Sequence, residues 1–461
     1  MVPEPASPPL PAGPSPPAPP ELEPIGVDAA AGPISRGDRL RQSDTVRAAG
    51  MASAQLAANA IALVFTIVFA RLLGRTDYGS LAALLAAFLV VSVPGNALQV
   101  AAARETALGR LGEGGALAAT LWRWAQRIAV VAALATLLAL LLREPIAAVV
   151  NVDESFAAAA VVPTAFLWLI LCVQRGALQG IGAYSGVAWS IVSQESGRLI
   201  VGLVLFAAGL GVTGAYLGTP VTFVIVALAL AWVIRRRLGP PPHEDARESL
   251  RELTRVAWAA AVGLTLIAVL QNVDVIIAKH HFDGDDAGAY AAAAVAAKAI
   301  VWVAIGVGFY LVPEATRRAA GGLGPRKVLL RSLLVVVALA VPALAIFAAA
   351  PELLLRLAFG SEYTGASDAL IVMGLAMAML AVTYLAVQYL LALGHHRFLL
   401  VLAAVAIADP LLLILASGES LVSFAVVVLG AQALGVAATL ATALRATPHA
   451  HVLSGREQPV A

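Results

Sequence analysis

The sequence predicts an all-α protein that crosses a membrane about twelve times, in two similar halves of six helices. Three observations carry this prediction. Hydrophobic residues form 60% of the 461 residues and charged residues only 13%, whereas soluble proteins carry about 25% charged residues. Apolar stretches of spanning length, about 20 residues each, recur along the chain. Segments of the first half reappear, in the same order, in the second half.

Twelve stretches are long and apolar enough to span a bilayer. They are residues 48–72, 79–103, 120–142, 157–175, 187–210, 213–234, 256–278, 288–312, 328–350, 366–391, 398–416 and 421–443. No alternation typical of barrel strands is present, so helices must satisfy the backbone hydrogen bonds in lipid. Most Lys and Arg residues lie in the tails or in loops that follow even-numbered stretches. By the positive-inside rule, both termini are therefore expected in the cytoplasm.

The two halves share short motifs at matching places. FARLLGRTDYGSLAAL (69–84) is similar to IAKHHFDGDDAGAYAAAA (277–294), and VQRGALQG (173–180) is similar to VQYLLALG (387–394). Because the first and seventh stretches begin on the same side of the membrane, the repeat is parallel, with its axis along the membrane normal. Two such bundles around a central cleft favour a carrier that works by alternating access.

This organisation predicts five parts of the chain. They are a disordered Pro-rich cytoplasmic tail (1–45), an N-terminal six-helix lobe (46–236), a cytoplasmic linker (237–255), a C-terminal six-helix lobe (256–444) and a cytoplasmic C-terminal tail (445–461). The first tail has few bulky apolar residues and lacks the basic start and apolar centre of a signal peptide. We expect it to remain disordered and to be retained.

Composition and missing motifs argue against several function classes. The net charge of +2 is too small to suggest a nucleic-acid partner, and Cys172, the only cysteine, cannot form an intrachain disulfide. The sequence has no GxxxxGK[ST] loop, no HExxH helix and no GxSxG elbow. The adjacent His280 and His281 point in different directions on a helix, with no matching ligand cluster. We expect no enzymatic chemistry, no metal site and no cofactor.

Several segments, in this order, carry a family resemblance. They are FARLLGRTDYGSLAAL, ALQGIGAYSG followed by Glu195 and Arg198, GLGVTGAYLG, QNVDVIIAKHHF with AGAYAAAAVAAKAI, and FGSEYTGASDAL with VQYLLALG. Together, over about residues 45–443, they resemble the polysaccharide transporter (Wzx-type oligosaccharide flippase) branch of the multidrug/oligosaccharidyl-lipid/polysaccharide (MOP) exporter superfamily. The resemblance implies a MATE-like fold in a bacterial plasma membrane. It also implies a flippase that moves a polyprenyl-pyrophosphate-linked oligosaccharide to the outer leaflet for cell-surface polysaccharide biosynthesis.

The implied partners are the polyprenyl-linked glycan, membrane lipid and, in the same biosynthesis, a glycan polymerase and glycosyltransferases. Intramembrane cations are the natural ligands for the pyrophosphate, because arginine stays charged and binds phosphate oxygens with two donors. The substrate-binding candidates are therefore Arg198, Lys298, Lys279 and Arg71. Each has an alternative: Arg198 can simply neutralise Glu195 one turn away, Lys298 can snorkel, and Arg71 and Lys279 can anchor helix ends at the interface.

Three acidic residues within the spans are candidates for ion coupling or charge pairing: Asp274, Glu195 and Asp409. A charge at the centre of a span costs about 2.5–3.5 kcal/mol on insertion scales, so such residues face a cavity or a partner. Asp274 either pairs with a nearby cation, such as Lys279 or His280, or takes up the proton or Na⁺ that drives the cycle. Asp409 precedes Pro410, and the Asp-Pro step can also serve only to break the helix.

Three rival functions remain at this stage. A cation-coupled multidrug exporter or a lipid II flippase would share the predicted fold, and the sequence does not separate them from an oligosaccharide flippase. A membrane-embedded glycosyltransferase or polymerase that uses the same carrier lipid would need a positioned acidic base and usually a large extracytoplasmic loop. The longest outer connection, residues 143–156, is short, which argues against that class.

Overall fold

The computed structural model describes residues 44–239, 250–320, 324–416 and 418–446, and these residues fold into helices joined by short connections. The long helices are α1 (Asp44–Ala107), α2 (Gly114–Leu141), α4 (Ser155–Gly180), α5 (Tyr184–Leu205), α6 (Gly211–Leu238), α7 (Leu250–His281), α8 (Gly284–Ala320), α9 (Arg326–Ala349), α11 (Ser367–Ala392), α12 (Phe398–Ala416) and α13 (Leu421–Arg445). Two short helices, α3 (Arg143–Val150) and α10 (Pro351–Ala358), precede α4 and a 3₁₀ turn at Ser361–Ala366.

Glycine residues divide the two longest continuous helical stretches. Helix α1 breaks at Gly74, whose φ of 75° is accessible mainly to glycine. Between α5 and α6 lies a π-helical segment, Phe206–Leu210, in which Gly209 has a φ of 87°. Among the residues that the structure describes, ten stretches are long and apolar enough to cross a membrane. Two of them, Ser53–Ala107 and Tyr184–Leu238, each contain 55 residues, enough for two crossings. The predicted all-α fold with about twelve spans is confirmed.

The buried apolar side chains form two clusters, one in each predicted lobe. The first is built from α1 to α6, with large buried side chains such as Trp124, Tyr216 and Phe223. The second is built mainly from α7 to α13 around α11, which packs against α8, α9 and α13. Tyr78 of α1 belongs to the second cluster, so the helix that follows Gly74 packs across the boundary between the lobes.

The structure adds two features that the sequence analysis missed. Helices α3 and α10 occupy connections that were predicted as loops. Helix α4 ends at Gly180, five residues beyond the predicted end of the fourth span. Arg175, the last residue of the predicted span, therefore lies within the helix and is buried.

The five-part division of the chain stays a prediction. Residues 1–43, 240–249 and 447–461 lie outside the described residues, and they hold nearly all of the predicted N-terminal tail, most of the linker and nearly all of the C-terminal tail.

Candidate functional site

A series of hydrogen-bonded polar side chains links α4 and α5 in the N-terminal lobe. The guanidinium of Arg175 is 3% exposed, and its Nε donates to Ser190 Oγ (2.9 Å). Its Nη2 donates to the Ser190 carbonyl (3.0 Å) and to Gln194 Oε1 (2.8 Å). Arg175 also lies over the ring of Trp168, 5.5 Å from the ring centre. Three hydrogen bonds and an aromatic face thus compensate the buried charge.

The same series of polar side chains continues along α5 to Arg198. Gln194 Nε2 donates to Glu195 Oε1 (2.9 Å), and Glu195 Oε2 lies 3.5 Å from Arg198 Nη1. The Arg198 guanidinium sits over the ring of Phe65, 4.1 Å from its centre. The predicted proximity of Glu195 and Arg198 is present, but the pair is loose, and Arg198 Nε is buried without a hydrogen-bond partner among the described residues. We call Arg175, Gln194, Glu195 and Arg198 the arginine relay.

A second polar cluster lies inside the C-terminal lobe. Asp274 is fully buried in α7 and accepts a hydrogen bond from the Tyr290 hydroxyl (2.9 Å). Lys298 of α8 donates to Asn272 Oδ1 (3.1 Å) and interacts electrostatically with Asp274. At 7% exposure, Lys298 does not snorkel, because Asn272 and Asp274 provide its polar partners within the lobe.

Asp409 lies near the same cluster. It is fully buried in α12, interacts electrostatically with Asp274, and neither of its oxygens has a hydrogen-bond partner in the described part of the chain. Helix α12 packs against α7 and α13. On α13, Gln432 donates to the Leu270 carbonyl (2.9 Å), while its own Oε1 has no partner among the described residues. We call Asp274, Asp409 and Gln432 the carboxylate cluster.

Of the two roles predicted for Asp274, pairing with Lys279 or His280 is not what the structure shows. Lys279 Nζ donates instead to the Thr76 carbonyl (3.3 Å), and His280 Nε2 donates to the Val149 carbonyl (2.9 Å). Five or six residues along a helix turn these side chains well away from the face of Asp274. Tyr290 and Lys298 on the neighbouring helix reach that face instead.

Arg71 and Lys279, the two interfacial cations, help to join the lobes. Arg71 Nη2 donates to the Leu357 carbonyl (2.6 Å) at the end of α10, much as His280 donates to Val149 at the end of α3. Tyr363 donates to the Ala70 carbonyl (2.6 Å). Each lobe thus uses the helix end that follows its first span to contact the short helix of the other lobe.

Side chains and glycines complete this contact, which we call the lobe junction (residues 70–79 and 279–288 with the ends of α3 and α10). Arg75 Nη2 and Thr76 Oγ1 both contact the carboxylate of Asp285, at 2.6 and 2.8 Å. A Cβ atom on Gly288 would overlap the Arg75 carbonyl oxygen. The two lobes approach so closely here because glycine leaves room for the opposing backbone.

The structure therefore sorts the predicted site residues into three groups. Glu195 and Arg198 lie in the arginine relay, Asp274, Asp409 and Lys298 lie in or beside the carboxylate cluster, and Arg71 and Lys279 lie at the lobe junction. In the described residues, no hydrogen bond or ion pair connects Arg198 to Lys298. That the two face one shared cleft stays a prediction. Sequence reasoning missed Arg175 and Tyr290; three polar residues on one face of α5, at 190, 194 and 198, were the available signal for a buried partner.

The profile of a family described as polysaccharide biosynthesis protein matches residues 48–313, more than half of the chain. The chain belongs to this family. The resemblance to the polysaccharide transporter branch of the MOP superfamily is thereby confirmed. A comparison with curated proteins gave no match.

The fold of this member of the polysaccharide biosynthesis family is similar to those of several solved membrane transporters. The chain is similar to an inward-facing multidrug resistance MATE family transporter of the MOP superfamily (TM-score 0.67, 13% identity, 84% of this chain and 94% of that chain covered). It is also similar to the lipid II flippase MurJ in an inward closed conformation (TM-score 0.67, 13% identity, 85% and 87% covered). An outward-facing MATE family transporter gives a TM-score of 0.55 at 12% identity, with 90% and 100% covered. These likenesses establish a MATE-like membrane-transporter fold.

Proposed function

We propose that the protein flips a polyprenyl-pyrophosphate-linked oligosaccharide from the inner to the outer leaflet of a bacterial plasma membrane by alternating access. The proposal rests on one observation: Arg198, within the N-terminal lobe, is only loosely paired with Glu195. The chain also belongs to the polysaccharide biosynthesis family. A pyrophosphate needs such a cation, while the polyprenyl tail of the same substrate can stay in lipid throughout.

The lobe junction supports alternating access. In the predicted orientation, with both termini in the cytoplasm, the junction faces away from the cytoplasm. Hydrogen bonds and one ion pair hold this end closed, and on this basis we assign the described state as inward-facing. The higher TM-score with the inward-facing than with the outward-facing MATE transporter agrees with this assignment.

The carboxylate cluster supports ion coupling, with H⁺ or Na⁺ as the coupling ion. Asp274 and Asp409 come from two helices and lie close enough to interact electrostatically, and their free oxygens, with that of Gln432, point to no donor in the described residues. Two charged carboxylates in this setting would repel one another, so a bound proton or cation stabilises the pair. Release of that ion on one side of the membrane then favours the other conformation.

Deletion of the gene, followed by mass spectrometry of the lipid fraction, tests the substrate. We expect polyprenyl-pyrophosphate-linked oligosaccharide to accumulate, with its glycan protected from a periplasmic glycosidase in intact spheroplasts. Accumulated lipid II would favour the lipid II flippase, for which the likeness to MurJ is a specific reason. A normal lipid profile with lost dye efflux would favour a multidrug exporter.

Substitutions in the lobe test the role of Arg198. Arg198→Ala should abolish complementation of the deletion at normal membrane abundance, because one charge-assisted contact to phosphate is lost. The matched control is Arg236→Ala, which removes an exposed arginine that stacks on Trp232. Full rescue by the Arg198→Ala variant would remove this residue from the transport role.

A further inference from the structure

Arg175 is a buried cation that the proposed function does not use. It lies in α4, on a different helix from Glu195 and Arg198, and makes no direct contact with either in the described part of the chain. Its three hydrogen bonds within the described residues go to Ser190 and Gln194. The hydrogen bonds therefore connect Arg175 to Glu195 and Arg198 through Gln194.

The hydrogen-bond donors and acceptors of Gln194 and Glu195 show how Arg175 affects Glu195. The carbonyl oxygen of Gln194 is occupied by Arg175, so the amide NH₂ group of Gln194 must point the other way, towards Glu195. Glu195 then accepts from Gln194 with one oxygen, and its other oxygen stands 3.5 Å from Arg198, beyond the length of a strong charge-assisted bond. Arg175 also attracts Glu195 electrostatically. Glu195 is thus shared between two arginines.

The charges of the relay do not cancel. Arg175 and Arg198 are both permanently positive, and Glu195 is the one acid among the relay residues, which leaves one excess positive charge. The rings of Trp168 and Phe65 stabilise the two guanidinium groups in part. A buried charge without a counterion is costly, and the unpartnered Nε of Arg198 is the donor left over. The arginine relay therefore has one unpaired donor, Arg198 Nε, and one excess positive charge that can bind an anion.

We propose that Arg175 is a positioning residue that withdraws Glu195 from Arg198 and so keeps Arg198 available for the diphosphate of a polyprenyl diphosphate substrate. The inference rests on the proposed function and names the chemical group that the N-terminal lobe recognises. Without Arg175, Glu195 would form a tight ion pair with Arg198, and Arg198 would no longer be available to bind the diphosphate.

Binding of farnesyl diphosphate to the purified full-length protein in nanodiscs tests this inference, with farnesol as the uncharged probe of the same tail. Wild type should bind the diphosphate more tightly than farnesol. Arg175→Gln should weaken binding of the diphosphate about tenfold, the order expected when one hydrogen bond to a charged group is lost, and leave farnesol binding unchanged. Glu195→Gln should bind the diphosphate at least as tightly as wild type.

The double variant Arg175→Gln/Glu195→Gln gives the decisive comparison. Because Glu195 is the group through which Arg175 acts, removing both should restore most of the affinity, an outcome that a merely structural role of Arg175 does not predict. If Arg175→Gln fails to fold, Gln194→Leu breaks the relay without removing a buried cation and should show the same loss.

Three results would overturn the inference: unchanged diphosphate binding in both Arg175→Gln and Gln194→Leu, no rescue in the double variant, or no preference of wild type for the diphosphate over farnesol. The lipid analysis of the deletion strain reports separately on the proposed function. Accumulated lipid-linked oligosaccharide together with any of these results would leave the flippase in place and reject the role of Arg175.

Discussion

At the scale of single residues, Asp409 has the most incomplete hydrogen bonding of the buried acids described above. Neither oxygen has a partner among the described residues, although the side chain is fully buried. An unpaired carboxylate in such a place is costly, whereas a protonated or cation-bound carboxyl group is tolerated. The residue is therefore expected to serve the transport cycle at the expense of stability.

Asp409→Asn tests this expectation. The neutral amide removes the charge with little change of shape, so the thermal midpoint in detergent should stay equal or rise, while complementation should be lost. Asp368→Asn, the same change at an exposed position, serves as the control and should alter neither quantity. Normal complementation by Asp409→Asn would exclude Asp409 from coupling.

Glu154, in the connection between α3 and α4, gives a pH-dependent prediction. Partial burial raises the pKa of its carboxyl group, and Asp77 and Asp153 raise it further, while Lys279 lowers it. Because the pKa is higher in the folded protein than in the unfolded chain, folding loses stability as the pH rises through this interval, and the full cost is present above the folded pKa. At neutral pH Glu154 therefore lowers the stability of the folded protein.

Glu154→Gln should accordingly raise the thermal midpoint by a few degrees at neutral pH. At about pH 4, below the ordinary pKa of a glutamate, the wild-type side chain is neutral too, and the difference should largely vanish. Thermal unfolding of both proteins across this pH range measures the effect. A midpoint difference that is independent of pH would contradict the assigned cause.

Single residues also show where sequence reasoning reached its limit. Glu195 and Arg198 were predictable as neighbours because one helical turn brings them to the same face. Arg175 was not, because its burial depends on where α4 ends, and the ends of apolar stretches are poorly defined by composition. The partners of Asp274 come from a neighbouring helix, and helix packing is not readable from one stretch.

At the scale of secondary-structure elements, α3 and α10 extend the internal duplication. They begin 208 residues apart (351 − 143) and each contains 8 residues, and the similar motifs that begin at residues 69 and 277 are separated by the same interval. The sequences REPIAAVV and PELLLRLA share little beyond an acidic residue in the first turn and apolar side chains. Structural duplication is therefore better preserved here than the sequence, which explains why both helices were predicted as loops.

The close contact between Gly288 of α8 and Arg75, just after the first span, leads to a prediction at the scale of elements. Gly288→Ala should separate the lobe junction, because the new Cβ atom would overlap the Arg75 carbonyl oxygen. Overpacking of this kind costs about 1–3 kcal/mol, so the thermal midpoint should fall. Gly306→Ala on the same helix meets no atom within 4 Å, and it should leave the midpoint unchanged or slightly higher. Equal behaviour of the two variants would contradict the close contact.

At the scale of the whole molecule, the sequence predicted the architecture well. The count of spans, the helical class and the family followed from hydropathy and from ordered motifs, because lipid imposes a length and a composition on every span. The contact between lobes did not follow, since Arg75 and Asp285 lie 210 residues apart in the chain and meet only in the folded protein. That contact is the basis of the inward-facing assignment proposed above.

A reversible cross-link across the lobe junction tests alternating access. Thr76 and Asp285 are in hydrogen-bond contact, so Thr76→Cys/Asp285→Cys, in a Cys172→Ser background, should form a disulfide on oxidation. Transport should stop when the bond forms and resume after reduction, because the junction must open once per cycle. The two single-cysteine variants should be insensitive to oxidant. Undiminished transport by the fully cross-linked protein would refute an opening at this end.

Most hydrogen bonds described across the lobe junction end on main-chain carbonyl groups, those of Ala70, Thr76, Val149, Lys279 and Leu357. A peptide oxygen is the same atom whatever amino acid carries it. At Val149 and Leu357, whose exposed side chains make none of these hydrogen bonds, substitutions can therefore accumulate over evolutionary time while the lobe junction keeps the same strength.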